Sequence, residues 1–169
     1  PFPPPANIDE AVELKSTLTA AKDRDAAAAA ALRLGRGRAA AVALFIVNKG
    51  ILTGWKAAGG ALDHQGIESV MLPASADSIL KNPAAGIHFQ GPVPRGGLND
   101  RLLAALGRPA GIHAMVIPIT LGNRVVNLLY ADNGPDAMAP EAQASLQAVG
   151  RDMSAAYERI ILAKKKSPG

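Results

Sequence analysis

The sequence contains no cysteine. That one absence excludes disulfides, thiolate nucleophiles, Cys-ligated zinc, iron–sulfur clusters and thioether-linked chromophores. It suits a reducing cytoplasm, which is the expected compartment. Aromatic residues make up only 4% of the chain, so surfaces for stacking bases are scarce. Acidic residues are outnumbered 14 to 18, which leaves a net charge of +4. The excess falls on Arg33, Arg36 and Arg38 and on Lys164, Lys165 and Lys166. No aromatic interleaves with them, so we read two solvated helix ends, where cations suit the helix dipole, and expect no nucleic-acid partner. No apolar run approaches the roughly 20 residues that cross a bilayer, so no membrane partner is expected. There is no initiator Met, and Pro1-Phe2-Pro3-Pro4-Pro5 reads as a stiff linker. The expected organisation is a piece of a longer polypeptide: linker 1–7, one domain over 8–165, and a disordered tail 166–169.

Catalytic and metal-binding patterns are also missing. His64, His88 and His113 form no H-x-x-x-H or H-x-x-E-H pair and have no carboxylate at ligand spacing. Ser75, His88 and Asp100 make no credible triad without a Gly-x-Ser-x-Gly elbow. Gly91 to Gly97 carries no Lys followed by Ser or Thr and is not a phosphate-binding P-loop. No enzyme activity, metal or cofactor is expected.

What is present is a core. Hydrophobic residues are 49% of 169, enough for one sizeable domain. The alanine-rich composition hints at a GC-rich bacterial genome. Asn7 and Glu10 mark a helix start, and Ile8, Val12 and Leu18 mark one face of that helix. Asp23 or Asp25 caps a second helix over Ala26–Leu34, ended by Gly35 and Gly37. Ala41–Val47 is apolar at odd and even positions, as a strand buried on both faces requires. Asn48-Lys49-Gly50 turns it into Ile51–Trp55. The middle is less regular. It reads as a strand in Ile67–Leu72, a short helix in Ser75–Leu80, a strand in Gly86–Phe89, a loop over Gly91–Gly97 and an Asn99-capped helix to Leu106. A second hairpin joins Ala114–Ile119 to Val125–Tyr130, with Pro118 facing an edge or a bulge. A long helix over Pro140–Lys165 carries Ala142, Leu146, Val149, Met153, Ala156, Ile160 and Ala163 at alternating steps of 4 and 3. Tyr157 and Ile161 widen that stripe. Helices at both ends of antiparallel strands indicate an α+β fold.

The segment Val116-Ile117-Pro118-Ile119 through Leu129-Tyr130-Ala131-Asp132 resembles the last hairpin of GAF domains. Leu44-Phe45-Ile46-Val47 followed by Gly54-Trp55 is similar to the first hairpin of GAF-like domains in multidomain bacterial signalling proteins. Leu72-Pro73 and Ser78-Ile79-Leu80 are similar to that family's strand and short helix over the pocket. PAS domains are the nearest alternative, and profilin-like modules such as roadblock domains are a more distant one. The resemblance implies a central antiparallel sheet with the N- and C-terminal helices packed on one face. It also implies a sensory or regulatory role in signal transduction. The family's bilin carriers and methionine sulfoxide reductases use Cys, which this chain lacks. Asn48-Lys49-Gly50 shares only two letters with the cyclic-nucleotide signature Asn-Lys-x-Phe-Asp.

Two functions follow as expectations. One is a module acting through protein contacts or dimerisation, with Leu146, Val149, Met153, Tyr157 and Ile160 as candidates for pairing in a homodimer, or contacts to other domains or a signalling partner. The other is a small-molecule sensor with Trp55, Arg95, Asn127 and Tyr130 as pocket candidates. Arg124, at a turn, should face water.

Overall fold

The computed structural model describes residues 2–59 and 64–166, and the side chains of His64 and Gln65 are outside that description. Elements run α1 (Ile8–Thr19), α2 (Arg24–Arg36), β1 (Ala41–Asn48), β2 (Ile51–Gly59), α3 (His64–Glu68), β3 (Met71–Pro73), α4 (Lys81–Ala84), β4 (Phe89–Pro92), α5 (Gly97–Ala105), β5 (His113–Leu121), β6 (Arg124–Asp132) and α6 (Pro140–Lys166). The six strands form one antiparallel sheet in the order β3-β2-β1-β6-β5-β4.

Local chemistry explains the helix starts and the first turn. Asn7 Oδ1 accepts from Glu10 N at 2.9 Å, and Asp23 Oδ1 accepts from Ala26 N at 2.8 Å. Each satisfies an amide that the helix leaves unpaired. Lys49 and Gly50 have φ of 51° and 78°, the left-handed pair of a two-residue hairpin turn matched to strand twist. Gly35 does not end α2. It lies buried inside the helix, where a Cβ would come within 3.1 Å of Val42 Cγ1, and Gly37 takes the cap.

The sheet separates two cores. On one face Leu14 and Leu18 of α1, Leu32 of α2, and Leu146, Met153 and Ile160 of α6 cover Val42, Leu44, Ile117, Ile119 and Leu129. On the other, α3, α4, α5 and their connections cover Phe45, Leu52, Val116, Leu128 and Tyr130. The terminal helices therefore share one face, as expected.

The middle of the chain differs from the sequence reading. Ile67 belongs to the short helix α3, packed under β2, and only Met71–Pro73 pairs as a strand. The short helix is Lys81–Ala84, after Ser75–Leu80, and β4 starts at Phe89 and takes in Gly91 and Pro92. Asn99 lies inside α5 and does not cap it; its Oδ1 accepts from Ile79 N at 2.9 Å, tying the connection to the helix. The face of α1 also differs: Leu14 and Leu18 are buried, whereas Ile8 and Val12 are 81% and 60% exposed.

Two bulges re-aim the central strands, one between Leu44 and Phe45 and one between Ile119 and Thr120. Pro118 stands one residue before the second, on the part of β5 that β4 no longer covers. The next outward donor there, Thr120 N, is taken by Ser154 Oγ of α6 at 3.2 Å. Pro73 and Pro92 end β3 and β4, the two outer strands.

The expected linker lies against the domain. The Arg33 guanidinium donates to Pro3 O at 3.0 Å, Phe2 packs on the helix-side core, and Pro5 lies close to Gly37. Lys166, expected in the tail, ends α6, and Pro1 and residues 167–169 lie outside the described residues. Among the described residues no helix is long and apolar enough to cross a membrane.

Candidate functional site

The face of the sheet away from the terminal helices is where a small molecule was expected. Phe45, Leu52, Ile67, Leu80, Leu106, Leu128 and Tyr130 meet there with no exposed surface. Side chains of this size packed at interior density occupy the volume a ligand would need.

The four pocket candidates do not converge. Trp55 packs on the opposite, helix-side core, with the Arg24 guanidinium 5.5 Å and the Lys56 ammonium 5.4 Å from its ring centre. Both ring contacts are cation–π interactions; that of Arg24 staples β2 to the start of α2, and that of Lys56 lies within β2. Asn127 is buried, donating from Nδ2 to Phe45 O at 3.0 Å and accepting from the Tyr157 hydroxyl at 2.5 Å. Arg95 is exposed and pairs loosely with Asp100 at 3.8 Å. Tyr130 does lie on the far face, but its hydroxyl donates to Asp132 Oδ2 at 2.6 Å. Burial, followed by the charge of Asp132, pushes its phenol far up from the ordinary range.

Asp132 is the centre of a polar cluster that the sequence reading missed. It is fully buried. Oδ1 accepts from Arg108 Nη2 at 2.6 Å and from Gly134 N at 2.9 Å, and Oδ2 accepts from Arg108 Nε at 3.1 Å. This two-pronged pair, with the Tyr130 hydroxyl, gives every oxygen lone pair a partner and leaves nothing to bind substrate. It holds the loop after α5 to the end of β6. No sequence signal joins residues 24 positions apart. The Arg-Pro pair at Arg108-Pro109 reads only as a helix stop.

The five pairing candidates of α6 are consumed within the chain. Leu146, Val149, Met153, Tyr157 and Ile160 are all buried against the sheet and α2. A helix face has one width, and the own sheet occupies this one. Arg33 and Arg36, expected at a solvated helix end, are half-buried as well: Arg33 pairs with Glu10, and Arg36 donates to the carbonyls of Ala39 and Ala40. The Ala6 amide and then Arg33 hold the Glu10 carboxyl below its ordinary range. Arg124 is exposed at its turn, His88 is exposed and His113 half-buried. Among the described residues no three metal-ligating side chains converge.

Open surface relief lies at the margins of the two cores, one groove on each side of the sheet. A groove of about 520 Å³ runs between α1 and α6, lined by Ile8, Ala11, Val12, Leu34, Ala148 and Val149, with Lys15, Arg38 and Asp152 at its rim. A cleft of about 560 Å³ opens beside Arg95, Lys81 and Asn82 at the start of α5.

No protein-family model matches the sequence, and no curated protein matches it. Solved structures do. The chain is similar to the GAF domain of a phosphoenolpyruvate-protein phosphotransferase from Coxiella burnetii, at 17% identity and a TM-score of 0.67, covering 92% of this chain and 93% of that one. It is similar to part of a methyl-accepting chemotaxis protein at 17% identity and a TM-score of 0.72, covering 89% and 98%. It is also similar to a free methionine-R-sulfoxide reductase from Neisseria meningitidis, at 14% identity and a TM-score of 0.62, covering 90% and 89%. The fold is the GAF fold, which these neighbours put to both signalling and enzymatic use, so the site and not the fold must decide the role.

Proposed function

We propose that this GAF-fold chain is a non-catalytic regulatory domain of a bacterial signalling protein, acting in the cytoplasm through protein contacts. The observation that carries this reading is the far face of the sheet, filled by Phe45, Leu52, Ile67, Leu80, Leu106, Leu128 and Tyr130. A sensor needs a cavity with a few polar groups aimed into it. Here the polar side chains nearest that face, Tyr130 and Asp132, are spent on each other and on Arg108. Large exposed apolar side chains include Ile8 and Val12, adjacent on α1 beside the α1–α6 groove. Contiguous exposed apolar surface beside a groove marks a contact surface. The cysteine-free sequence speaks against thiol redox chemistry like that implied for reductases of this fold.

The test is native mass spectrometry of the purified chain, with thermal melts across a nucleotide and metabolite panel. A bare mass and unchanged melting temperatures are expected. A co-purified small molecule, or a compound raising the melting temperature in proportion to its concentration, would establish the sensor instead. The Arg95 cleft is where such a molecule would then be sought, because Lys81 and Arg95 line it together.

A further inference from the structure

We propose that the Asn133-Gly134 step after β6 is a site of self-modification, held closed by the fold and opened only by local unfolding. The inference goes beyond the regulatory reading and does not depend on it.

Asn133-Gly134 is the only Asn-Gly pair in the chain. An asparagine followed by glycine is prone to cyclise, because no Cβ shields the next amide nitrogen. The Gly134 nitrogen gives up its proton to hydroxide and forms a bond to Cγ of Asn133. The Cγ–Nδ2 bond breaks, and that nitrogen leaves as ammonia with a proton taken from water. Water then opens the cyclic imide. Entry at Cγ leaves aspartate. Entry at the main-chain carbonyl of residue 133 leaves isoaspartate, with the backbone rerouted through the side chain. Water is the only co-reactant.

The fold readies one reacting group and withholds the other. The Asn133 side chain is exposed, and its Oδ1 accepts from Ala40 N at 2.8 Å. That donor polarises the carboxamide and would stabilise an oxyanion forming there. The nucleophile is locked. Gly134 is buried, and its N–H donates to Asp132 Oδ1 at 2.9 Å. A carboxylate beside that amide disfavours the anion that attack requires, and burial keeps hydroxide away. Ring closure also demands rotation of the carboxamide and of the peptide that joins the two residues. Asn133 Nδ2 donates to Arg38 O at 3.0 Å, and Gly134 O accepts from His113 N at 2.9 Å, so neither turns freely. These bonds reach the α2–β1 connection, β5 and the buried Arg108–Asp132 pair. Releasing Gly134 therefore means opening that corner of the domain.

The product cannot restore what is lost. A carboxylate at 133 sets an oxygen against Arg38 O, where the amide now donates. Isoaspartate adds a methylene to the main chain and draws Gly134 N away from Asp132. An opening that ends in reaction is thus recorded permanently, and the α2–β1 connection loses its tie to the end of β6.

Timed incubation of the whole chain tests this, read by peptide mapping in a mass spectrometer and by enzymatic methylation of isoaspartate. One sample stays folded in buffer, and one is held unfolded in urea at the same pH and temperature. Conversion at Asn133 should be slower in the folded sample by about 100-fold or more, as the hydrogen bonds to be broken imply. At urea concentrations below the unfolding transition, conversion and hydrogen exchange of the Gly134 amide should change in step, because both need that N–H released. The converted fraction, separated by its added negative charge, should unfold at a lower urea midpoint. Equal rates in the folded and unfolded samples overturn the proposal, and so does an unfolded sample that does not convert. Conversion that rises with urea while Gly134 exchange stays fixed overturns the lock at Asp132. An unchanged midpoint for the converted fraction overturns the structural consequence.

Discussion

Asp132 shows how much a single buried charge commits. It has no exposure, and its partner Arg108 has 12% of its side chain exposed, so both ions are largely out of water. Such a pair contributes little net stability relative to apolar residues, yet removing one member strands the other. Arg108→Ala is therefore expected to cost about 3–5 kcal/mol, read as a lowered urea midpoint with an unchanged slope. Asn127 and Tyr157 make the corresponding pin on the other face. Tyr157→Phe leaves Asn127 Oδ1 buried without its donor and should cost about 1–3 kcal/mol in the same titration. None of this was legible in the sequence. Asn127 and Tyr130 were marked as polar groups that could face a ligand, and each instead satisfies a buried partner supplied by a distant segment. Residue type reveals hydrogen-bonding capacity; only the tertiary structure reveals where that capacity is spent.

Elements were legible wherever periodicity or turn chemistry acts locally. Both hairpins, the two N-terminal helices with their caps at Asn7 and Asp23, and the length of α6 follow from side chains within a few residues of one another. The stretch between the hairpins was not legible, because its apolar residues answer to the sheet beneath them and to no repeat of their own. Ile67 is an example. It reads as a strand residue, but it sits in the short helix α3, pressed onto β2 at Gly54, where an added Cβ would fall 1.8 Å from Ile67 O. Gly54→Ala should therefore push this connection off the sheet and destabilise the fold by about 1–3 kcal/mol or more, despite adding one methyl group. A control at Gly50, whose surroundings are open, separates crowding from backbone strain, since φ there is +78° and any loss must come from conformation. The α1 stripe failed for a related reason. Ile8, Val12 and Leu18 were read as one face, but Leu14 and Leu18 define the buried side. Two exposed aliphatics on a surface helix distort the apolar stripe, because sequence pattern alone does not separate them from the buried Leu14 and Leu18.

At the scale of the whole molecule, the sheet is a partition with a buried phenol on each side. Tyr130 lies in the far core and Tyr157 in the helix-side core. Burial pushes the Tyr157 phenol from 10 up to about 12, and burial with Asp132 pushes Tyr130 up as well. Both folded values exceed the unfolded one, so the unfolded chain releases its protons first as pH rises. This contribution to stability is fully present below pH about 10 and is lost as pH climbs through 12, by about 2–3 kcal/mol for Tyr157 alone. Melting temperatures should therefore fall steeply above pH 10. Tyr157→Phe should flatten the pH 10–12 portion of that fall, and its persistence unchanged would remove Tyr157 from the account.

The three prolines on the margins of the sheet have a consequence for the chain in crowded surroundings. Pro73, Pro92 and Pro118 each sit where a strand has no neighbour on one side, and Ser154 occupies the amide that follows Pro118. A border so interrupted cannot template a continuing ladder of strands. Concentrated samples should thus stay free of the fibrils and sheet-extended aggregates to which open β edges are prone, and Pro118→Val should make the domain aggregate sooner on prolonged incubation, with thioflavin fluorescence as the readout.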